Sequence, residues 1–126
     1  MTHAILYNPD TQTIEIKFQG DITLNEVKEL YFESAQVAKQ QNCYMFLSDY
    51  SDATMKLSTL DIYNLPQILS EVFAASEISA HKMKRALVVA KDLKDYHFFE
   101  TVTSNSGQSA KIFQNVAEAK EWLANK

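Results

Sequence analysis

Hydrophobic and polar residues alternate strictly over 13–18, where Ile14, Ile16 and Phe18 are separated by Glu15 and Lys17. This period of two predicts a half-buried strand. Residues 3–7, "HAILY", read as a strand before it. Asn8, Pro9 and Asp10 between the two favour a turn, so an antiparallel hairpin is expected, with Gly20 punctuating its exit. The period then changes to a helical one. Leu24, Val27, Leu30, Tyr31, Ala35 and Ala38 share one face through about Gln40. Thr23 and Glu26 have capping-box spacing, which predicts a cap bond in each direction.

Residues 43–49, "CYMFLSD", form an apolar run without helical period, the mark of a strand covered on both faces. Ser58 and Asp61 then pair as a weaker cap for a second helix, with Leu65, Ile68, Leu69, Val72 and Phe73 as its buried stripe. Pro66 interrupts that stripe, which predicts a kink or a break near Asn64. Residues 85–90, "RALVVA", read as a second buried strand. A third helix is expected over 94–107, ended by Gly107. Residues 110–114 read as a short strand. Asn115 and Glu118 cap a last helix with Val116, Ala119, Trp122 and Leu123 inward. The order β-β-α-β-α-β-α-β-α predicts an α/β protein: a mixed β-sheet opened by an antiparallel hairpin, its later strands parallel.

Composition narrows the function classes. The 126 residues fit one domain, 1–126, without linker, repeat or low-complexity stretch; glycine stands only at Gly20 and Gly107, proline only at Pro9 and Pro66. A net charge of −4 gains little from phosphate backbones, so nucleic acid is not expected as a partner. The densest basic stretch, "HKMKR" at 81–85, reads as a solubilising gatekeeper before an apolar strand. The chain has no apolar run of membrane-spanning length and no signal-peptide pattern, so a cytoplasmic location is expected. Cys43 is the single cysteine and reads as a packed thiol. His3, His81 and His97 lack paired-ligand spacing, so no metal is expected. Without a phosphate-cradling glycine loop, a nucleophile elbow or a nucleotide fingerprint, no catalytic residue and no cofactor are expected.

The layout resembles the STAS-like, or SpoIIAA-like, fold, and is most similar to small single-domain bacterial members of unassigned biochemistry. The residues that carry the resemblance are Phe18, Gly20, Thr23 and Glu26; Leu47 and Asp49 of "LSD"; Leu60 to Pro66; "KRALVVA"; and the closing "IFQNVAEAKEWL". The resemblance implies a regulatory domain that works by protein contact, as in anti-sigma-factor antagonists. In the phosphoregulated members a serine opens the helix after the central strand, within a glycine-containing turn, and phosphate there switches partner binding. Ser58 or Thr59 occupies that place here. The glycine turn does not, because no glycine lies between Gly20 and Gly107.

Three sets of residues are therefore candidates. Asp49, Ser51, Asp52 and Thr54, with Ser48, form the densest polar cluster, at the carboxyl end of a buried strand. They read either as a partner or ligand loop or as a turn and cap satisfying their own backbone. Ser58 and Thr59 are candidate phosphosites or an ordinary N-cap. Tyr31, Phe32, Tyr63, Tyr96, Phe98 and Phe99 are candidate aromatics for an interface or a pocket rim, since neighbours such as Tyr31 and Phe32 cannot face one stripe together. The expectation is a non-enzymatic, dimeric interaction domain whose partner is a protein or a second copy. The alternative is a carrier of a small apolar ligand or lipid, resembling Sec14-type use of a related fold.

Overall fold

A computed structural model of the chain describes residues 2–78, 82–89 and 109–124. Strands β1 (Thr2–Asn8) and β2 (Thr13–Ile22) form the expected antiparallel hairpin, from Thr2 opposite Gln19 to Asn8 opposite Thr13. The Asn8 side chain accepts the Asp10 amide at 3.0 Å, and Gln12 closes the turn at φ 52°. Helix α1 (Leu24–Gln41) follows, then β3 (Met45–Met55), α2 (Thr59–Ala74), β4 (Lys84–Val88), β5 (Ser109–Phe113) and α3 (Val116–Ala124). The strands lie in the order β1-β2-β3-β4-β5, and every pair after the hairpin is parallel. The α/β order and mixed sheet expected from the periodicity are thus observed; the helix expected over 94–107, with Gly107, lies outside the described residues.

The two sheet faces are covered unequally. Ile14, Ile16 and Phe18 of β2 and Phe46 of β3 pack with α1 and α2 in one large apolar cluster. On the opposite face Leu47, Ala86 and Val88 meet Ala119 and Leu123 of α3 in a smaller one. The first part of β3, Phe46 to Ser48, is therefore buried from both sides, as its unbroken apolar run predicts.

Several local expectations are corrected. Gly20 does not end β2 but lies within it at φ 78°, a conformation that an L side chain resists. Strand β3 does not stop at Asp49; it continues through the polar residues to Met55, paired with Gln19–Ile22 of β2. Open pairing positions on β2 outweighed the low strand propensity of "SDYSDAT". The α1 cap runs in one direction only. Thr23 Oγ1 accepts the Glu26 amide at 3.3 Å, whereas Glu26 Oε2 is buried without a hydrogen-bond partner. The weaker-looking cap of α2 is the complete one, since Ser58 and Asp61 bond to each other's amides, both at 3.1 Å.

Helix α2 is also unbroken at Pro66. Pro66 removes one N–H from the ladder, but it is buried together with Ile62 and Leu65, and that packing keeps the flanking turns helical. The buried stripe is Ile62, Leu65, Pro66, Leu69 and Phe73; Ile68 and Val72 are half-buried. At the end of α1, Asn42 takes the left-handed conformation usually given to glycine. In α3 the Asn115 cap forms at 3.2 Å, but Val116 faces solvent rather than the core.

Candidate functional site

The bulge between β2 and β3 builds the polar site. Lys17 stands opposite Asp49 and Gln19 opposite Asp52, so β3 uses one residue more than β2 over the same span. Before the bulge Phe46, Ser48 and Tyr50 point toward α1, and Asp49 points away. The extra residue allows Ser51 and Asp52 to join Asp49 on the same side. Lys17 Nζ lies 3.0 Å from both Asp49 Oδ2 and Asp52 Oδ2, and 3.4 Å from Ser51 Oγ. Asp49 Oδ1 accepts the Ser51 amide at 2.9 Å and the Ser51 hydroxyl at 2.6 Å.

Burial pulls the Asp49 carboxyl upward, but the Ser51 hydroxyl and amide, then Lys17, outweigh it and hold the group below the usual aspartate range. The hydrogen bond to Asp52 raises Lys17, partial burial opposes it, and Asp49 raises it further. Asp49 and Lys17 are thus each held in the charged form, and Ser51 and Asp52 complete the bonding around them. Such a cluster locks a backbone bulge; it is poorly suited to proton transfer near neutral pH. Thr54 lies further along β3, exposed and opposite Asp21, in register with the cluster but past it. Because the described strands follow chain order without a reversal, this sheet lacks the switch point that forms a ligand crevice in open α/β folds.

A second polar group lies behind the same strand, against α1. Tyr31 Oη shares a 2.7 Å hydrogen bond with Ser48 Oγ and lies 3.4 Å from Tyr50 Oη. Arg85 is 2% exposed and meets the same two tyrosines, with a hydrogen bond to Tyr31. Burial pushes the Arg85 guanidinium below its usual value, and the tyrosines partly restore it. The gatekeeper reading of 81–85 is therefore corrected: Met83 and Arg85 are buried, and Lys84 is half-buried, 4.4 Å from the Trp122 ring and donating to the Trp122 carbonyl at 2.6 Å. Residue 85 follows the inward parity of β4 opposite Phe46, and that parity decides its burial.

The remaining candidates separate. Tyr31 belongs to the core at 1% exposure, whereas its neighbour Phe32 is 49% exposed. Ser58 and Thr59 open α2 in solvent, followed by Leu60 and Tyr63, exposed by 66% and 59%. Tyr96, Phe98 and Phe99 lie outside the described residues. Cys43 is buried, donating to the Gln12 carbonyl at 3.0 Å. Among the described residues no group of three or more His, Cys, Asp or Glu is placed to hold a metal, and no helix is long and apolar enough to cross a membrane. Nothing in the sequence marks Tyr50 as part of this group, and for Lys17 the one signal is its place on the polar parity of β2.

This architecture matches a known one. The anti-sigma factor antagonist SpoIIAA, solved in its unphosphorylated form, is similar at a TM-score of 0.60 and 10% identity, over 99% of this chain and 100% of that one. The fold is SpoIIAA-like. An uncharacterized protein from the DUF3478 family with a SpoIIAA-like fold, from Shewanella loihica PV-4, is similar at a TM-score of 0.57 and 17% identity, over 97% of this chain and 92% of that one. No family model matches the chain, and no curated protein matches it by sequence. The SpoIIAA-like likeness is thus one of fold, and it agrees with the resemblance drawn from residues 18–26, 47–49, 60–66, 84–90 and the closing segment.

Proposed function

We propose that the chain is a non-enzymatic, cytoplasmic regulatory domain that binds another protein through the surface at the first turns of α2. The observation that carries this reading is the SpoIIAA-like fold along 99% of the chain. Two features of the α2 start support it. Leu60 and Tyr63 are three residues apart, so they share one helix face, and both are largely exposed. The complete Ser58–Asp61 cap holds that face rigid, which lowers the entropy lost on docking. A phosphate on Ser58 or Thr59 would border the patch. On Ser58 it would set its charge against Asp61 and strain the cap, which gives modification a route to weaken the contact.

Photo-cross-linking residues placed singly at positions 60 and 63, in cells that express the chain, test this reading. A discrete adduct with another protein from both positions is expected, and Tyr63→Glu should abolish the adduct formed from position 60. Cells that yield no adduct from either position would overturn it.

A further inference from the structure

Among the described residues the sheet ends in two edges, β1 and β5, and they are built differently. Strand β5 has five residues and carries Lys111 in its middle. Shortness and a central lysine are two devices by which edge strands avoid pairing with other chains. Strand β1 has seven residues, "THAILYN", with no Asp, Glu, Lys, Arg or Pro among them. Its register with β2 runs from Thr2 to Asn8 without a bulge. Leu6 stands opposite Glu15, on the face away from the large core, and is 61% exposed. Ala4, on the same side, is exposed as well.

We infer that β1 is a self-recognition edge, pairing antiparallel with β1 of a second copy so that two sheets become continuous. The occupant is a second copy because β1 is self-compatible: a seven-residue edge without Asp, Glu, Lys, Arg or Pro meets its own copy with no like charges opposed, although each chain carries −4 overall. Symmetry supports the same choice. An antiparallel β1–β1 contact uses the same edge on both partners and closes as a two-fold dimer; β1 against β5 would leave open edges and propagate. In an antiparallel arrangement the Ala4–Leu6 side of one strand lies along that of the other, covering both leucines. This contact is independent of the α2 surface, since neither Leu60 nor Tyr63 takes part in it.

Sedimentation velocity on the purified full chain, from low to high micromolar concentration, tests the inference. The wild type is expected to dimerise with concentration. Leu6→Lys should weaken the dimer by about tenfold or more, since it places a lysine on each copy at the junction. Its thermal unfolding as a monomer should match the wild type, because Leu6 is already solvent-exposed. Lys111→Gln, on the other edge, should leave association unchanged. A wild type that stays monomeric throughout would overturn the inference, even if a strand from a different protein then occupies β1. A dimer that Leu6→Lys leaves as strong as before would overturn it too, by placing the contact elsewhere. Neither result bears on cross-linking from positions 60 and 63.

Discussion

Strand β3 carries two polar groups back to back. Toward α1, Ser48 and Tyr50 join Tyr31 and Arg85 in a cluster closed to solvent. On the other side Asp49, Ser51 and Asp52 gather on Lys17, whose side chain keeps 35% of its exposure. The bonds are of similar length, though hydroxyls share them in the core and opposite charges at the surface, and the stakes differ. Water can replace any partner lost at the surface, but none is on hand in the core. The comparison teaches that hydrogen-bond geometry alone does not rank a polar cluster; the fate of the group left behind does.

The largest expected effect follows from Arg85, the largest fully buried side chain of the described core. Arg85→Ala should lower stability by about 3–5 kcal/mol in chemical denaturation, through an emptied volume and tyrosine hydroxyls left facing it. Arg85→Met sharpens the point, since it fills much of the space without a charge to desolvate. It should recover at least half of that loss, and a Met variant as unstable as Ala would mean that the charge itself is indispensable. Tyr31→Phe removes one hydroxyl and strands Ser48 Oγ, with an expected loss of about 1–3 kcal/mol.

Gly20→Ala tests the backbone beneath the surface cluster. A Cβ there would meet nothing within 4 Å, so the expected loss of about 1–2 kcal/mol comes from the positive φ alone. The smallest effect belongs to Lys17→Ala, at most about 1 kcal/mol and reduced by salt. Its dependence on pH has a defined sign. Asp49 is held low in the folded chain, so its contribution is present above the ordinary aspartate range and fades as pH falls through the lowered value. Lys17 is held high, so its contribution is present below the ordinary lysine range and fades as pH rises through the raised value. The gap between wild type and Lys17→Ala should therefore be flat from about pH 5 to 9 and close at both extremes. Thermal melts across pH would show it, and a gap that widens in acid would contradict the assignment.

Much of the frame was legible because it depends on local pattern. The alternation at Ile14, Ile16 and Phe18, the stripe from Val27 to Ala38 and the cap at Ser58 are each set by neighbours in sequence. What the sequence hid depends on partners distant along the chain. Nothing in "SDYSDATM" marks a strand until Gln19–Ile22 are seen to need one beside them. Arg85 sits in a basic run that resembles surface, and only its position opposite Phe46 turns it inward. Of the candidate site, Asp49, Ser51 and Asp52 do converge, but Lys17, thirty-two residues before Asp49, is what gathers them. Tyr31 is a candidate both for the buried stripe of α1 and for an interface rim; at 1% exposure it belongs to the stripe, and the rim reading of Tyr31 is corrected.

The bulge in β3 also makes that strand a text written in two reading frames. Up to Tyr50 the even positions face α1 and α2; past the bulge it is Ala53, at an odd position, that packs against that core. Replacing Ser51 changes a letter and leaves both frames intact. Deleting it would merge the two frames into one: Asp52 would stay opposite Gln19 and Ala53 opposite Gly20, each on its present face, and the bulge would be gone. The two frames therefore depend on one extra residue of length and not on which residue it is.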